Sequence, residues 1–231
     1  MSDQFKSHRC QTGFSSPPCY DAEGATESCD TLGVVPKQAQ DVARWRKAER
    51  IRLRDARQAL SVAARKKIGA ALAGHLQQVL KDRFAGARGM VLSAYWPIKG
   101  EPDLRPLMAT LHDAGVTVAL PVVETRAAPL TFRHWTPETR MVRGDWNIPV
   151  PPPTAPVVTP DIALAPLVGW TADGYRLGYG GGYFDRTLAT LDPKPFVIGI
   201  GIKAAQLATI YPQPHDIPLD LILTEIGLHS G

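Results

Sequence analysis

A glycine-rich segment, residues 173–186, holds the groups best suited to chemistry in this sequence. Between residues 174 and 182, five of the nine positions are glycine. Glycine lacks a Cβ and tolerates positive φ, so a ligand can approach the bare backbone closely. The segment leads into Tyr183-Phe-Asp-Arg-Thr-Leu188, a pattern that predicts the first turn of a helix. A glycine loop that feeds a helix N-terminus presents several amide N–H groups to one point, which suits phosphate.

Charged residues in this segment indicate which ligand it could hold. Arg176 and Arg186 place positive charge on either side of the glycines. Asp185 would repel a phosphate unless a divalent cation lay between the two groups. Glycine clusters also form plain flexible turns, and this one matches neither the P-loop nor the dinucleotide-binding fingerprint. The glycine spacing alone leaves both interpretations open, whereas the added charges favour a nucleotide–metal site.

The segment from Gly174 to Arg186 resembles the signature of the 5-formyltetrahydrofolate cyclo-ligase family, whose members are also called 5,10-methenyltetrahydrofolate synthetases. Further segments between residues 45 and 228 match that family in the same order. They are Arg50-Ile-Arg-Leu-Arg54, Lys99-Gly-Glu101, Ala119-Leu-Pro121, Trp146-Asn-Ile148 and Pro214-His-Asp-Ile-Pro-Leu-Asp-Leu-Ile-Leu-Thr-Glu225. Each is a weak signal alone, and their shared order supports the resemblance.

The resemblance implies a ligase of one-carbon metabolism that cyclises 5-formyltetrahydrofolate to 5,10-methenyltetrahydrofolate and releases ADP and phosphate. ATP would phosphorylate the formyl oxygen, N10 of the folate would attack the activated carbon, and phosphate would leave. Phosphoryl transfer depends on charge neutralisation and positioning, so no protein nucleophile is expected. The implied cofactors are ATP and Mg2+. The implied partner is 5-formyltetrahydrofolate, with or without a polyglutamate tail.

The resemblance also assigns residues to the site. Magnesium would be held by Asp185 and Asp220. Glu101 would accept paired hydrogen bonds from the pterin, a bidentate arrangement that a carboxylate can make. The nucleotide set is Arg50, Arg54, Arg176, Gly178, Tyr179, Gly180, Gly181, Gly182, Tyr183 and Phe184. The folate set is Trp96, Glu101, Tyr179, Gly180, Gly181, Gly182 and Tyr183.

Some of these assignments have a plain structural alternative. Judged without the family, Lys99-Gly-Glu101 is an ordinary polar loop, and Asp220 is equally well a turn residue before a strand. Trp96 and Tyr183 could form walls for a flat ring, but they are as often core aromatics.

The chain departs from the family pattern at three positions. Tyr179 stands where many members carry arginine, so one charge expected to face phosphate is missing. Arg50 occupies a position where lysine is frequent, which keeps the charge but changes its geometry. Trp170-Thr171 stands where an aromatic–aspartate pair is common, and Asp173 could substitute for that aspartate.

Length and composition indicate one globular domain with an appendage. The chain has 231 residues, of which 44% are hydrophobic and 21% charged, both ordinary values. Residues 1–40 lack apolar periodicity and contain all three cysteines, so we expect a disordered N-terminal extension before a single α/β domain at residues 41–231. No apolar run matches a membrane span or a signal-peptide core. We therefore expect a cytoplasmic protein without a membrane partner. We also expect a monomer.

Hydrophobic patterning predicts alternating strands and helices. A basic helix at residues 42–60 and a second helix, with Ser61 as its N-cap, up to residue 83 come first. Strands are predicted at residues 90–96, 116–120, 130–135, 161–167, 196–200 and 219–224, helices at 103–114 and 183–191, and a proline-rich connector at 149–160. The order implies a three-layer α/β fold, with a mainly parallel sheet covered by helices on both faces and preceded by N-terminal helices. Its ligands should bind beyond the carboxyl ends of the strands.

Other functions stay open at this point. Residues 44–67 contain ten basic and two acidic residues, a block that could contact nucleic acid. A solvated helix face is commoner, and without an RNA-binding signature no nucleic-acid partner is expected. A non-catalytic relative that binds an anionic metabolite would be expected to lose one of Glu101, Asp185 and Asp220, and all three are present. A sugar-phosphate isomerase would share the α/β layout but would need no ATP.

Overall fold

The computed structural model describes residues 39–229. Its first elements are two long helices, α1 (Ala39–Ala59) and α2 (Val62–Phe84). Helix α1 begins earlier than predicted, so Ala39 and Gln40 are helical and do not belong to the predicted extension. The rest of that extension, residues 1–38, lies outside the described residues, and its disorder stays a prediction. Within residues 39–229 no helix is long and apolar enough to cross a membrane.

Twelve strands and two more α-helices follow in the described chain, together with three short 3-10 helices. The strands are β1 (Val91–Ser93), β2 (Thr117–Val122), β3 (Thr131–His134), β4 (Val142–Arg143), β5 (Pro149–Val150), β6 (Ile162–Pro166), β7 (Gly169–Thr171), β8 (Arg176–Leu177), β9 (Phe196–Ile200), β10 (Gln206–Leu207), β11 (Leu221–Thr224) and β12 (Gly227–His229). The helices are α3 (Arg105–Asp113) and α4 (Tyr183–Leu188).

Seven strands form the central sheet, in the order β12-β11-β9-β6-β1-β2-β3. The five inner strands are parallel, and the two edge strands run antiparallel to their neighbours. Parallel strands that are covered on both faces are apolar along their whole length, as in the buried sequence Ile162-Ala-Leu-Ala of β6. The predicted, mainly parallel sheet is confirmed.

Alternate residues of the inner strands point to opposite faces of the sheet, as the strand period requires. Ile162 and Leu164 belong to one hydrophobic core, and Ala163 and Ala165 belong to a second core on the other face. The first core includes Leu72, Leu76 and Leu80 of α2 and Leu107, Met108 and Leu111 of α3. The second includes Leu53 of α1, Leu188 of α4, Trp170 of β7 and Leu177 of β8. This arrangement confirms the three-layer fold.

Two small sheets were missed by the sequence patterns. Strands β10, β7 and β8 form a three-stranded sheet, and β4 pairs with β5. Strand β5 lies inside the predicted proline-rich connector, where Val150 pairs with Val142 of β4. Each of these five strands has only two or three residues, which is too short to show an alternation of apolar and polar residues. Tertiary pairing, not local pattern, therefore defines them.

Ser61 forms the junction between the two N-terminal helices, and its predicted role as an N-cap is confirmed. Its backbone is extended, with φ −62° and ψ 158°, and its side chain accepts a hydrogen bond from the amide of Ala64. The distance from Ser61 Oγ to Ala64 N is 3.1 Å. This bond satisfies one of the amide donors that every helix start leaves unpaired.

Replacing Ser61 by Ala should lower the free energy of unfolding by about 1 kcal/mol, because the Ala64 amide loses its acceptor. For a domain of this size the melting temperature should fall by about 2–4 °C. Thermal unfolding followed by circular dichroism would measure the change. Ser61→Asp keeps a side-chain acceptor and should stay close to the unmodified protein. Equal losses in both variants would mean that the cap does not determine the stability of α2.

Candidate active site

One face of α1 turns three arginines toward the loops that surround the glycine segment. Arg46, Arg50 and Arg57 occupy positions i, i+4 and i+11, which point in nearly the same direction on a helix. Arg46 and Arg57 are only 8% and 3% exposed. A guanidinium has five N–H donors and no acceptor, so each buried arginine needs oxygen atoms from the loops around it.

Two hydrogen bonds in series connect Arg57 to the predicted folate residue Glu101 through Tyr179. Arg57 Nη2 donates to Tyr179 Oη over 2.5 Å, and Tyr179 Oη donates to Glu101 Oε1 over 2.7 Å. The second oxygen, Glu101 Oε2, accepts from the amide of Ile98 over 2.8 Å. Burial raises the pKa of the Glu101 carboxyl, and the bonds from Ile98 and Tyr179 oppose that effect. The structure thus brings Glu101 and Tyr179 together, and Arg57 is a participant that the sequence interpretation missed.

This group lies at the carboxyl edge of the sheet, where ligands of parallel α/β sheets bind. Arg57 Nη1 donates over 3.1 Å to the carbonyl of Leu167, which follows the last residue of β6. Its Nε donates over 3.2 Å to the carbonyl of Lys99, in the loop that follows β1. The predicted position of the site relative to the sheet agrees with this geometry.

Arg50 lies against the glycine segment. Its Nε donates to the carbonyl of Gly178 over 2.7 Å. Gly180 has a φ of +100°, and a Cβ built there would lie 3.4 Å from Arg50 Cζ, so a larger residue would be strained and would crowd the arginine. Burial, followed by the charge of Arg46, lowers the pKa of the Arg50 guanidinium. Arg54 differs, because its Nε donates to the carbonyl of Arg50 in its own helix.

Arg176 and Asp185, both predicted to face the ligand, form an ion pair. Arg176 Nη2 lies 2.8 Å from Asp185 Oδ1, and the Arg176 guanidinium lies over the ring of Phe184 at 5.4 Å. Burial lowers the pKa of Arg176 while Asp185 raises it. The backbone of Ile217 joins the pair, since its amide donates to Asp185 Oδ1 over 3.3 Å and its carbonyl accepts from Arg176. The two residues therefore neutralise each other beside the loop that precedes β11.

Asp216 is a second carboxylate at this point that the sequence interpretation missed. It precedes Ile217 and forms an ion pair with Arg46, with Nη2 and Oδ2 separated by 2.5 Å. Arg46 also donates to the carbonyls of Ile210 and Tyr211. Two features of the sequence could have pointed to this pair. Arg46 lies on the same helix face as Arg50, and Asp216 lies in the segment 214–225 that matches the family.

Asp220, the second predicted magnesium ligand, lies elsewhere. Its Oδ2 accepts from the amide of Val197 over 2.7 Å, at the beginning of β9. Asp161 makes the same bond to the amide of Val91 at the beginning of β1, over 2.8 Å. Both aspartates thus hold strand starts at the amino edge of the sheet, opposite to the edge with Glu101. In the part of the chain that the structure describes, no three His, Cys, Asp or Glu side chains gather where they could hold a metal ion.

Tyr183 and Trp96, the two predicted aromatic walls, differ in their surroundings. Tyr183 lies at the end of the glycine segment, where its ring makes an edge contact with Trp146 at 5.6 Å. Trp96 is half-buried against the core that contains α2 and α3, and the guanidinium of Arg105 lies 5.1 Å from its ring. Tyr183 therefore lies within the glycine segment, whereas Trp96 packs against the core, and the folate contact of each stays a prediction.

Arg186 carries an unpaired buried donor next to the glycines. Its Nη2 donates to the carbonyl of Gly181 over 2.9 Å, and its guanidinium lies 5.5 Å from the ring of Tyr183. Arg186 Nη1 is the one buried side-chain nitrogen or oxygen without a hydrogen-bond partner among residues 39–229. Gly182 has a φ of +63° and leaves room for this guanidinium, since a Cβ there would lie 3.2 Å from Nη2. A buried cationic donor without a partner is costly, so an anion is a suitable ligand.

Thr171 takes over the turn where the family pattern has an aspartate. Its Oγ1 accepts from the amide of Tyr175 over 3.2 Å, and its own amide donates to the Tyr175 carbonyl. The threonine hydroxyl therefore closes the turn, while Asp173 is exposed and its substitution for the family aspartate stays a prediction.

Comparison with known proteins shows to which family this chain belongs. A model of the 5-formyltetrahydrofolate cyclo-ligase family matches residues 42–225. A 5-formyltetrahydrofolate cyclo-ligase of Mycolicibacterium smegmatis is 33% identical over 144 residues, which cover 59% of this chain and 74% of that protein. A cyclo-ligase of Haemophilus influenzae is 31% identical over 138 residues, covering 57% of this chain and 74% of that protein.

A solved structure has the same fold. The 5,10-methenyltetrahydrofolate synthetase of Aquifex aeolicus, determined by NMR, superimposes with a TM-score of 0.66 and 26% identity, covering 80% of this chain and 92% of that chain. The family model spans all strands of the central sheet except the edge strand β12, and it includes the residues that surround the glycine segment. The chain belongs to the 5-formyltetrahydrofolate cyclo-ligase family.

Proposed function

We propose that this chain uses ATP and magnesium to close the ring of its family's substrate, 5-formyltetrahydrofolate, and release 5,10-methenyltetrahydrofolate, ADP and phosphate. The observation that carries the proposal is the junction of the Glu101 carboxylate with the glycine segment through Tyr179. That junction places a carboxylate suited to a pterin beside a backbone suited to phosphate. A polyglutamate tail on the substrate, the cytoplasmic location, the monomeric state and the lack of a nucleic-acid partner stay predictions.

The folate half of the proposal rests on Glu101. The carboxylate is 6% exposed and has each oxygen in one hydrogen bond, which leaves further lone pairs on both atoms. A pterin offers an amino group and a ring N–H side by side, which match a carboxylate in a bidentate pair. Tyr183, within the glycine segment, would supply an apolar ring face for the folate.

The nucleotide half rests on the basic groups beside the glycines. Arg50 contacts the carbonyl of Gly178, and Arg186 has an unpaired Nη1 directed at no protein oxygen in the described structure. Phosphoryl transfer is accelerated mainly by positioning and by neutralisation of charge on the phosphate oxygens. Two arginines and the amides of the glycine segment supply both. Arg54, which bonds to its own helix, would have to change rotamer to take part.

The fit of magnesium is partial. Mg2+ in nucleotide sites is usually bound by one or two carboxylates together with phosphate oxygens and water. Asp185 fits this need, because one of its oxygens is bound to Arg176 and Ile217 and the other is available beside the glycine segment. Asp220 fits poorly, because its carboxylate is at the opposite edge of the sheet. We therefore keep Asp185 as the proposed magnesium residue, and the metal would help to neutralise the transferred phosphate.

The reaction gives the protein residues simple tasks. A formamide oxygen is a poor leaving group, and its phosphorylation lets N10 displace it as phosphate when the five-membered ring closes. Glu101 would hold the pterin, and Arg50 and Arg186 would bind anionic oxygens. Holding reactants in a near-attack geometry is a large part of such catalysis, and no protein nucleophile is needed.

Incubation of the protein with 5-formyltetrahydrofolate tests this function directly. We expect the absorbance of the methenyl product to rise with Mg-ATP and to stay flat when either ATP or magnesium is left out. One ADP should form for each methenyl product. Folate binding without product would identify a non-catalytic relative, and product without ATP would remove the phosphorylation step from the proposal.

Replacing Glu101 by Gln should raise the KM for 5-formyltetrahydrofolate and leave the KM for ATP nearly unchanged. The amide NH2 faces the donors of the pterin, and a mismatched buried polar pair costs about 1–3 kcal/mol, or about ten- to a hundredfold in affinity. Steady-state kinetics with each substrate varied in turn would measure both constants. A selective loss of ATP affinity would instead place this loop on the nucleotide side.

Replacing Asp185 by Asn should lower turnover strongly at low magnesium, and excess magnesium should restore part of it. A carboxamide keeps the volume but is a neutral ligand, while metal-assisted charge neutralisation contributes several kcal/mol to such reactions. Titrating activity against magnesium would measure the effect. Asp220→Asn should reduce thermal stability without changing the magnesium dependence, as should the matched strand-start variant Asp161→Asn. A magnesium dependence altered in Asp220→Asn alone would return that residue to the metal site.

A further inference from the structure

Three buried polar groups form a continuous chain from α1 to the folate side of the site. Arg57 is 3% exposed and Glu101 is 6% exposed, and the Tyr179 hydroxyl lies between them. That hydroxyl accepts from Arg57 Nη2 at 2.5 Å and donates to Glu101 Oε1 at 2.7 Å. A phenol can accept and donate at the same time, so every group in the chain has its required partner.

Arg57 is fixed in place independently of Tyr179. Its Nη1 and Nε donate to the carbonyls of Leu167 and Lys99, two loops that follow different strands of the sheet. The guanidinium therefore cannot swing out to solvent without breaking bonds to both loops. Its charge is a constant part of the site, and Tyr179 is the group through which it reaches the carboxylate.

Glu101 is surrounded by few charges. Arg57 approaches from α1 and Lys99 from its own loop, and both favour the ionised carboxylate. Tyr95, at the end of β1, and Tyr179 are uncharged phenols whose pKa values are raised by burial and by Glu101 itself. Asp103 lies in the same loop region and acts on Tyr95. Since burial opposes ionisation of Glu101, the hydrogen bonds that its oxygens accept are what offset that cost.

We infer that Tyr179 is a positioning residue: it passes the charge of Arg57 to Glu101 and holds that carboxylate ionised and oriented to receive the pterin. This inference rests on the proposed function of Glu101 as the folate contact. Hydrogen bonds in series polarise one another in a medium of low dielectric constant. The arginine–phenol–carboxylate order is therefore more favourable than a phenol that contacts the carboxylate alone.

The geometry explains why tyrosine suits position 179 in this chain. An arginine there would have only donors, so it could not accept the bond from Arg57 and would place a second cation beside it. Tyrosine removes that repulsion and keeps a donor for Glu101. Position 179 thus contacts the predicted folate residue Glu101 in this chain, in place of the charge that the family pattern places there.

The test compares Tyr179→Phe with the unmodified protein across pH. The kcat/KM for 5-formyltetrahydrofolate reports groups of the free enzyme. Without the phenolic donor, the Glu101 carboxyl should have a higher pKa. The acid limb of the pH profile, where kcat/KM falls as Glu101 becomes protonated, should therefore lie at higher pH. We expect that acid limb to move up by about one pH unit, since a hydrogen bond to a charged group typically shifts a carboxyl by that amount. The KM for ATP should change little.

Two more variants separate positioning from a general loss of structure. Tyr95→Phe is the control, because the buried Tyr95 hydroxyl donates to the carbonyl of Pro102 in the same loop, over 2.8 Å, and not to Glu101. It should lose a similar amount of stability and keep the acid limb in place. Arg57→Lys keeps the charge but cannot reach all three of its acceptors, so its acid limb should move in the same direction by less. It tests the inference even if Tyr179→Phe folds poorly.

A readout without activity completes the test. The carboxyl 13C resonance of Glu101, identified by its absence in Glu101→Gln, can be titrated in ligand-free protein labelled at glutamate. We expect a higher pKa for Glu101 in Tyr179→Phe than in the unmodified protein. An equal pKa in both would overturn the inference, whatever the activity. Failure of the unmodified protein to make the methenyl product would instead overturn the proposed function, and the titration would still decide the role of Tyr179.

Discussion

The site depends on the burial of arginines from a single helix. A guanidinium that leaves water must find oxygen partners, because an unpaired buried charge costs several kcal/mol. Arg46 and Arg57 meet this need with carbonyls of four separate loop positions, Ile210, Tyr211, Lys99 and Leu167. Each bond fixes a loop as well as the arginine. The arginines of helix α1 therefore hold the loops at the carboxyl edge of the sheet in place, and these loops carry the residues of the candidate site.

The same low dielectric constant that makes these bonds necessary also gives them their effect on chemistry. Glu101 would be difficult to ionise in a buried position, yet it accepts from the Ile98 amide and from the Tyr179 hydroxyl, with Arg57 behind the latter. Nearby, Arg186 retains a buried donor without a partner. Each oxygen of Glu101 thus has one hydrogen-bond donor within the protein, whereas Arg186 Nη1 has no acceptor among the described residues.

Aspartates in this protein have opposite tasks that depend on where the fold places them. Asp161 and Asp220 accept from strand-start amides and complete the hydrogen bonding of the sheet. Asp185 and Asp216 balance arginines that surround the glycine segment. All four are carboxylates close to strands or helices in sequence. The first pair accepts from amides at the beginning of neighbouring strands, whereas the second pair forms ion pairs with arginines from distant parts of the chain.

The long helices, the strands of the parallel sheet and the fold class could be predicted from the sequence, because the spacing of apolar residues is a local property. The helix period of α1 and α2, the cap at Ser61 and the apolar strand β6 were all predictable, and so was the glycine segment with its family resemblance. The contacts of Tyr179 with Arg57 and Glu101 and of Arg46 with Asp216 could not be predicted in this way, and neither could the short strands of the two small sheets. Tyr179 and Glu101 are 78 residues apart in the chain, and no local pattern states which buried donor meets which acceptor. That choice is made when the packed core excludes water and every buried polar group must be paired within the protein.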